Sequence, residues 1–282
     1  TRGWQRMARP LWFVSVLKKA FPGRFLLARL TRLPLAGSLV ERSLFAGDDL
    51  LYLPQDRVIA VNHELGAGPQ TVLPSQVVEH FVRKACHHWI MNACICREAA
   101  GCRGYPHDLG CLFLGEAVQG IHPRLGRLVS REEALAHVRR CAEAGLVHLI
   151  GRNKLDTVWL GIGPGERLLT ICHCCPCCCL WRMLPHLKGE IGATVARMPG
   201  VRVQVTERCT ACGACTRDVC FVRAIHLQDG RAAIGEACRG CGRCAAVCPQ
   251  GAIKVSLPSP DAVEKVIERL EPLFDLGQGG TP

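Results

Sequence analysis

The chain has 282 residues, 49% of them hydrophobic, with 20 cysteines and a formal net charge of +11. That length can bury a real core in about two domains, and it argues against a small secreted disulfide scaffold as the reason for the cysteines. No recognition motif accompanies the positive charge, so a nucleic-acid partner is excluded, and so many thiols call for a reducing, cytoplasmic and anaerobic setting, at most on the cytoplasmic face of a membrane.

Residues 1–47 are a basic amphipathic segment. Arg2, Arg6, Arg9, Lys18, Lys19, Arg24, Arg29, Arg32 and Arg42 stand against the single acid Glu41, which supplies +8 of the total. Leu11–Leu17 is apolar apart from Ser15, too short to span a bilayer. Lys18 and Lys19 follow it directly with no small-residue cleavage site, unlike a signal peptide. Phe25, Leu26, Leu30 and Leu33 recur at helical spacing with Arg24, Arg29 and Arg32 between them. This predicts an amphipathic helix that docks on an acidic partner subunit or an anionic membrane surface. The plainer alternative is a packing helix with a solvated basic face.

Residues 48–198 form a cysteine-rich module. His63 and Glu64 make no recognisable catalytic pair. A helix starting near Ser75 buries Val77, Val78, Phe81 and Ala85, and His87 with His88 caps its C-terminal end. Cys94-x-Cys96-x5-Cys102-x8-Cys111 follows. In an extended chain alternate side chains share a side, so Cys94 and Cys96 face one group. Ser130-x-x-Glu133 is a capping box and Gly145 a stop signal, which bracket a helix with Leu135, Val138 and Ala142 as its stripe and Cys141 at the stripe's border. Thr157–Leu160 and Leu168–Cys172 look like strands. Gly161, Gly163 and Gly165 between them read as a hairpin turn, since a nucleotide loop needs strand, turn and helix.

Cys172-His173-Cys174-Cys175-Pro176-Cys177-Cys178-Cys179 places six thiols in eight residues. Buried packing does not need such density, and free thiols so crowded would oxidise. Alternation would turn Cys172 and Cys174 to one cofactor and Cys175 and Cys177 to another. The candidate metal ligands are Cys94, Cys96, Cys102, Cys111, Cys172, Cys174, Cys175, Cys177, Cys178 and Cys179, enough for one or two iron–sulfur clusters. Cys86 and Cys141 are structural, and a lone histidine such as His173 is more often structural than a ligand.

Residues 199–257 carry Cys209-x2-Cys212-x2-Cys215-x4-Cys220 and Cys238-x2-Cys241-x2-Cys244-x3-Cys248-Pro249. A lone C-x2-C is shared by zinc ribbons and redox motifs. Two triplets, each closed by a fourth cysteine, instead suit two [4Fe-4S] cubanes, because two-residue gaps wrap three thiolates round one corner and the fourth reaches the other cluster. Cys209, Cys212, Cys215 and Cys248 then hold one cluster, and Cys238, Cys241, Cys244 and Cys220 the other. Each oxidised cluster with its thiolates carries roughly −2, so part of the basicity offsets the cofactors. Val201–Val205 and Ala252–Val255 are short strands, and Asp229-Gly230 joins Ala224–Leu227 to Arg231–Ile234 as a type I′ hairpin. In residues 258–282, Ser259-Pro260 opens a helix with Val263, Val266, Ile267 and Leu270 as its stripe, ahead of a flexible tail.

The pattern over residues 200–256 resembles the bacterial-type two-[4Fe-4S] ferredoxin. It departs from it in the four-residue gap before Cys220 and in Phe221, where the family has proline. The stretches CICR, GCLFLGEA, GRLVSREEAL, AGLVHLIGRN and ICHCCPCCCL resemble the cysteine-rich module of 4Fe-4S ferredoxin-like proteins of anaerobes, which implies metal binding over residues 75–185. The expected fold is α+β, a cysteine-rich module followed by a two-cluster domain.

The expected function is an electron-transfer subunit relaying low-potential electrons to redox protein partners in an oxidoreductase complex, with no catalytic residue of its own. One alternative is a reductase with a substrate-binding atypical cluster at Cys172–Cys179. Another is a redox-sensing regulator, since Ser130–Ile150 runs from helix to extended chain as a winged helix does. No C-x3-C-x2-C run points to radical chemistry.

Overall fold

The computed structural model describes residues 8–60, 73–257, 259 and 261–277. Its helices and mixed sheets make the fold α+β. Arg2, Arg6, His63, Glu64, Pro260 and most of the tail lie outside the described residues; the last helix begins at Ala262 with Asp261 as its N-cap, not at the expected Ser259-Pro260.

Three helices open the chain: α1 (Leu11–Ala20), α2 (Arg24–Leu30) and α3 (Pro34–Leu44). The expected single amphipathic stripe does not survive. Leu33 caps α3 rather than ending a helix with Phe25, because Pro34 takes the first helical position. Phe25 is half-buried, whereas Leu26 is 63% exposed.

The central sheet has seven strands, β1 (Asp49–Tyr52), β3 (His88–Met91), β4 (Leu112–Leu114), β5 (Gly126–Val129), β6 (Val147–Arg152), β7 (Leu169–Cys174) and β8 (Val195–Arg197). Their order is β5-β3-β4-β7-β6-β1-β8, antiparallel except for β1 beside β8. One face, with Leu51, Ile90, Leu112, Leu114, Ile150, Leu169 and Ile171, packs on α4 (Ser75–Lys84), α6 (Arg131–Glu143) and α8 (Ala262–Leu270). The other face, with Leu50, Tyr52, Val147, Leu149, Cys172 and Cys174, packs on α2 and on Trp181 and Met183. Burying each large apolar side chain contributes roughly 1.5–3 kcal/mol, so both faces of this sheet are held by core.

Several local signals act as their chemistry requires. The Ser130 hydroxyl accepts from the Glu133 amide, and the Glu133 carboxylate accepts from the Ser130 amide. The buried stripe of α6 is Ala134, His137, Val138 and Cys141. Cys141 thus sits inside the stripe rather than at its border, and Ala142 is exposed. The His88 ring donates to the Val82 carbonyl in the last turn of α4, 2.6 Å away. His87 turns instead to Gln119.

The expected strand at Thr157–Leu160 is a helix, α7 (Lys154–Leu160), capped by the Asn153 side chain and stopped by Gly161 in the left-handed conformation. A short stretch rich in β-branched and aromatic residues does not separate helix from strand, and the caps decide it. Gly161, Gly163 and Gly165 therefore link a helix to a strand and form no hairpin.

Asp48 anchors this corner by accepting from the Lys154 amide at 2.7 Å. Burial pushes its carboxyl up to about 7, and its second oxygen is buried without a partner. A carboxyl held above its unfolded value contributes stability that is complete at low pH and is lost as pH rises from about 4 to about 7. Asp48→Asn keeps the amide acceptor and should flatten that decline. Thermal unfolding at pH 6 and pH 8 checks it, with the variant gaining at pH 8 relative to wild type.

The C-terminal elements interleave with the central module. β9 (Arg202–Val205) and β12 (Ile253–Ser256) pair antiparallel, and β2 (Ile59–Ala60) adds to β12 in parallel. β10 (Ile225–Gln228) and β11 (Arg231–Ile234) form the expected hairpin, with Asp229 and Gly230 both at positive φ (49° and 75°) as a type I′ turn demands. Helix α8 packs back on α4.

Candidate metal centres

The two ferredoxin-like runs lie in loops whose sulfurs meet backbone amides. The amides of Ala232 and Ala252 donate to the sulfurs of Cys209 and Cys248 at 3.4 and 3.3 Å. Those of Ala224 and Gly240 donate to Cys220 and Cys238 at 3.2 and 3.4 Å. Gly240 and Gly242 take positive φ (65° and 81°), which folds the second run tightly round one point. The surroundings of Cys215 are Cys248, Cys209 and Cys212, and those of Cys244 are Cys241, Cys238 and Cys220. Both neighbourhoods thus cross between the runs, Cys248 joining the first and Cys220 the second. Burial first, then these neighbours, push Cys215 upward and Cys244 up to about 12. At Cys209 the amides of Ala232 and Ala211 prevail and lower the thiol. Such a donor set, four soft thiols with amide donors at the sulfurs, fits a cubane cluster. Cys212 is the exposed member of the eight.

The ten candidate cysteines of the middle module divide differently from their order in the sequence. Cys94, Cys96, Cys111, Cys172, Cys174 and Cys179 line one cavity of about 400 Å³, and Cys175 also lies at its wall. Strand alternation puts Cys172 and Cys174 there together, beside Thr170 and opposite the face of Leu169 and Ile171. Cys94 and Cys96 reach it otherwise than expected. Cys94 is the N-cap of a short helix, α5 (Ile95–Ala99), and Cys96 lies in its first turn, so no extended segment is involved. Cys111 meets Cys172 at 3.7 Å. The Tyr52 hydroxyl donates to Cys174 and also touches Cys179, both at 3.7 Å.

Cys102 leaves its sequence neighbours and joins Cys175, Cys177 and Cys178 in a second, tighter group. Cys86 belongs to neither group. Cys141 is fully buried and lies with His137 and His173. Burial pushes its thiol up to about 12, which keeps it neutral and suits packing.

Sequence reasoning missed the charged groups that stand among these thiols. Arg97 is fully buried and donates to the His173 carbonyl at 2.9 Å and to the Leu109 carbonyl. Burial alone would lower its guanidinium, but Cys94, Cys175, Cys111 and Cys174 around it raise it overall. Arg243, in the C-x2-C-x-R-C frame of the second run, donates to the Cys174 carbonyl. Arg24 lines the cavity from the N-terminal helices, its guanidinium 4.1 Å from the Phe21 ring. Buried Asp156 completes the wall, accepting from Asn153, Thr170 and Trp159 at 2.8–2.9 Å. Burial raises its carboxyl. An arginine directly after Cys96 and another directly before Cys244 were the available signals.

A family model for the 4Fe-4S binding domain matches residues 234–254, which contain Cys238, Cys241, Cys244 and Cys248. No curated protein and no solved structure matches the chain. The match and the thiol sets give the chain an iron–sulfur domain with at least one 4Fe-4S cluster and support a role in electron transfer. Among the described residues no helix is long and apolar enough to cross a membrane.

Proposed function

We propose that this protein is a relay subunit carrying low-potential electrons within an anaerobic, cytoplasmic oxidoreductase complex. Two ferredoxin-type [4Fe-4S] sites, Cys209/Cys212/Cys215/Cys248 and Cys238/Cys241/Cys244/Cys220, lead to a third iron–sulfur site in the six-thiol cavity. The clusters supply one-electron storage when bound.

The observation that carries this reading is the contact between the second ferredoxin site and the cavity. Phe221 follows Cys220, its ring centroid lies 4.7 Å from that of Tyr52, and Tyr52 touches Cys174 and Cys179. Arg243, next to Cys244, grips the backbone of Cys174 from the same side. These side chains fix the spacing of the two sites and exclude water between them. Exposed Cys212 marks the surface where a donor reaches the first site.

The N-terminal helices wall the cavity and present Trp12, Leu26, Leu35 and Leu39, each at least 63% exposed, amid basic residues. Their charge complements an acidic partner subunit. A second reading, a reductase that binds a small ligand at this site, is favoured by one feature: six cysteines besides Cys175 line a space where a cubane needs four.

The test is stopped-flow reduction by a low-potential donor, followed by freeze-quench EPR. Wild type should show the cavity signal forming after the ferredoxin signals. Tyr52→Ala or Cys220→Ala should delay it at least tenfold. An unchanged rate in both variants would contradict the relay.

A further inference from the structure

We propose that Cys102, Cys175, Cys177 and Cys178 hold a single tetrahedral metal ion, zinc, rather than an iron–sulfur cluster.

The spacing of the sulfurs carries the inference. All four lie within 4.8 Å of one another, with Cys102–Cys177 and Cys177–Cys178 each at 3.5 Å. A zinc ion bonds thiolate at about 2.3 Å, and a tetrahedron of that size sets its corners about 3.8 Å apart. A cubane lies between its ligands and must hold them farther apart than one ion does. The molecule contains its own comparison: among the described residues, no three of the eight ferredoxin cysteines form a group this close.

The chain geometry agrees. Cys175-Pro176-Cys177-Cys178 is a tight turn in which the Cys178 amide donates to the Cys175 sulfur at 3.3 Å. Such a turn presents three sulfurs to one point, and Cys102 supplies the fourth from the loop after α5. The donors are four soft sulfurs with no carboxylate among them, and three of the cysteines are buried. A closed, all-thiolate tetrahedron is the arrangement of structural zinc sites.

The position gives the ion a task. It ties the loop that follows β7 to the loop that follows α5, and the same two segments carry Cys172, Cys174, Cys179, Cys94 and Cys96. Cys175 also lies at the cavity wall. The ion would hold the frame of the six-thiol site without taking part in electron transfer, since zinc has no redox chemistry.

The test uses untagged full-length protein made anaerobically in medium containing both iron and zinc. Elemental analysis should find one zinc per chain in wild type and none in Cys177→Ser, with the EPR signals of the ferredoxin sites unchanged. Absorption spectroscopy at the zinc edge of wild type should find four sulfurs at about 2.3 Å, a readout that does not depend on the variant folding. Wild type without zinc, zinc retained in Cys177→Ser, or nitrogen or oxygen in the zinc shell would each overturn the assignment.

Discussion

Cys244→Ala protein, purified without oxygen, should carry about four irons and four labile sulfides fewer than wild type and lose one reduced-cluster EPR signal. Cys244 is held among Cys238, Cys241 and Cys220, and burial with those neighbours pushes its thiol up to about 12 in the metal-free chain. The bare Cys244 thiol is therefore neutral, and binding metal there must displace its proton. With one ligand gone, the remaining three cannot close the site. The other set, around Cys215, draws Cys248 from the second run, so it should keep its irons. Cys86→Ala is the control. Its amide is held by the Leu276 carbonyl and its thiol belongs to neither metal group, so iron and sulfide should match wild type. Iron and sulfide assays with EPR on the three proteins check this, and equal iron in Cys244→Ala and wild type would contradict it.

Arg97→Leu should cost the apoprotein about 3–5 kcal/mol of stability, the range for removing one partner from a buried charged network. Two carbonyls, of His173 and Leu109, lose a charged donor within the core. The thiols of Cys94, Cys111, Cys174 and Cys175 lose the positive charge that favours their ionised form, so the variant should also retain less iron. Arg97→Lys restores the charge but not the planar fork that serves two carbonyls. It should recover iron more than it recovers stability. Denaturant unfolding and iron content measured on the same three preparations separate the two effects, and a loss under 1 kcal/mol in Arg97→Leu would contradict the assignment.

Much of the fold was legible where a local rule fixes a local shape. The capping box at Ser130, the Asp229-Gly230 turn and the strand ahead of Cys209 all have their signal within a few residues of the structure they set. Thr157–Leu160 reads as a strand because its composition outweighs Asn153 and Gly161, the caps on either side that make it a helix. The N-terminal stripe fails because Pro34 starts a new helix and so ends the run.

The candidate metal ligands show the same division. The two C-terminal runs stand out because their spacing is itself a wrapping geometry. The middle cysteines stand out as candidate ligands, but their sets do not. Cys102 sits six residues from Cys96 yet pairs with Cys177, and only the packing of the loop after α5 against the end of β7 brings them together. Tyr52 lies some 120 residues from the cysteines it touches, and no spacing rule connects them.

The central claim is a third iron–sulfur site in the cavity of Cys94, Cys96, Cys111, Cys172, Cys174 and Cys179. Iron and acid-labile sulfide per chain, measured on anaerobic wild type beside Cys111→Ala and Cys172→Ala, tests it most directly. The account predicts about twelve irons in wild type and about eight in each variant, with the ferredoxin EPR signals intact. About eight irons in all three proteins would contradict it.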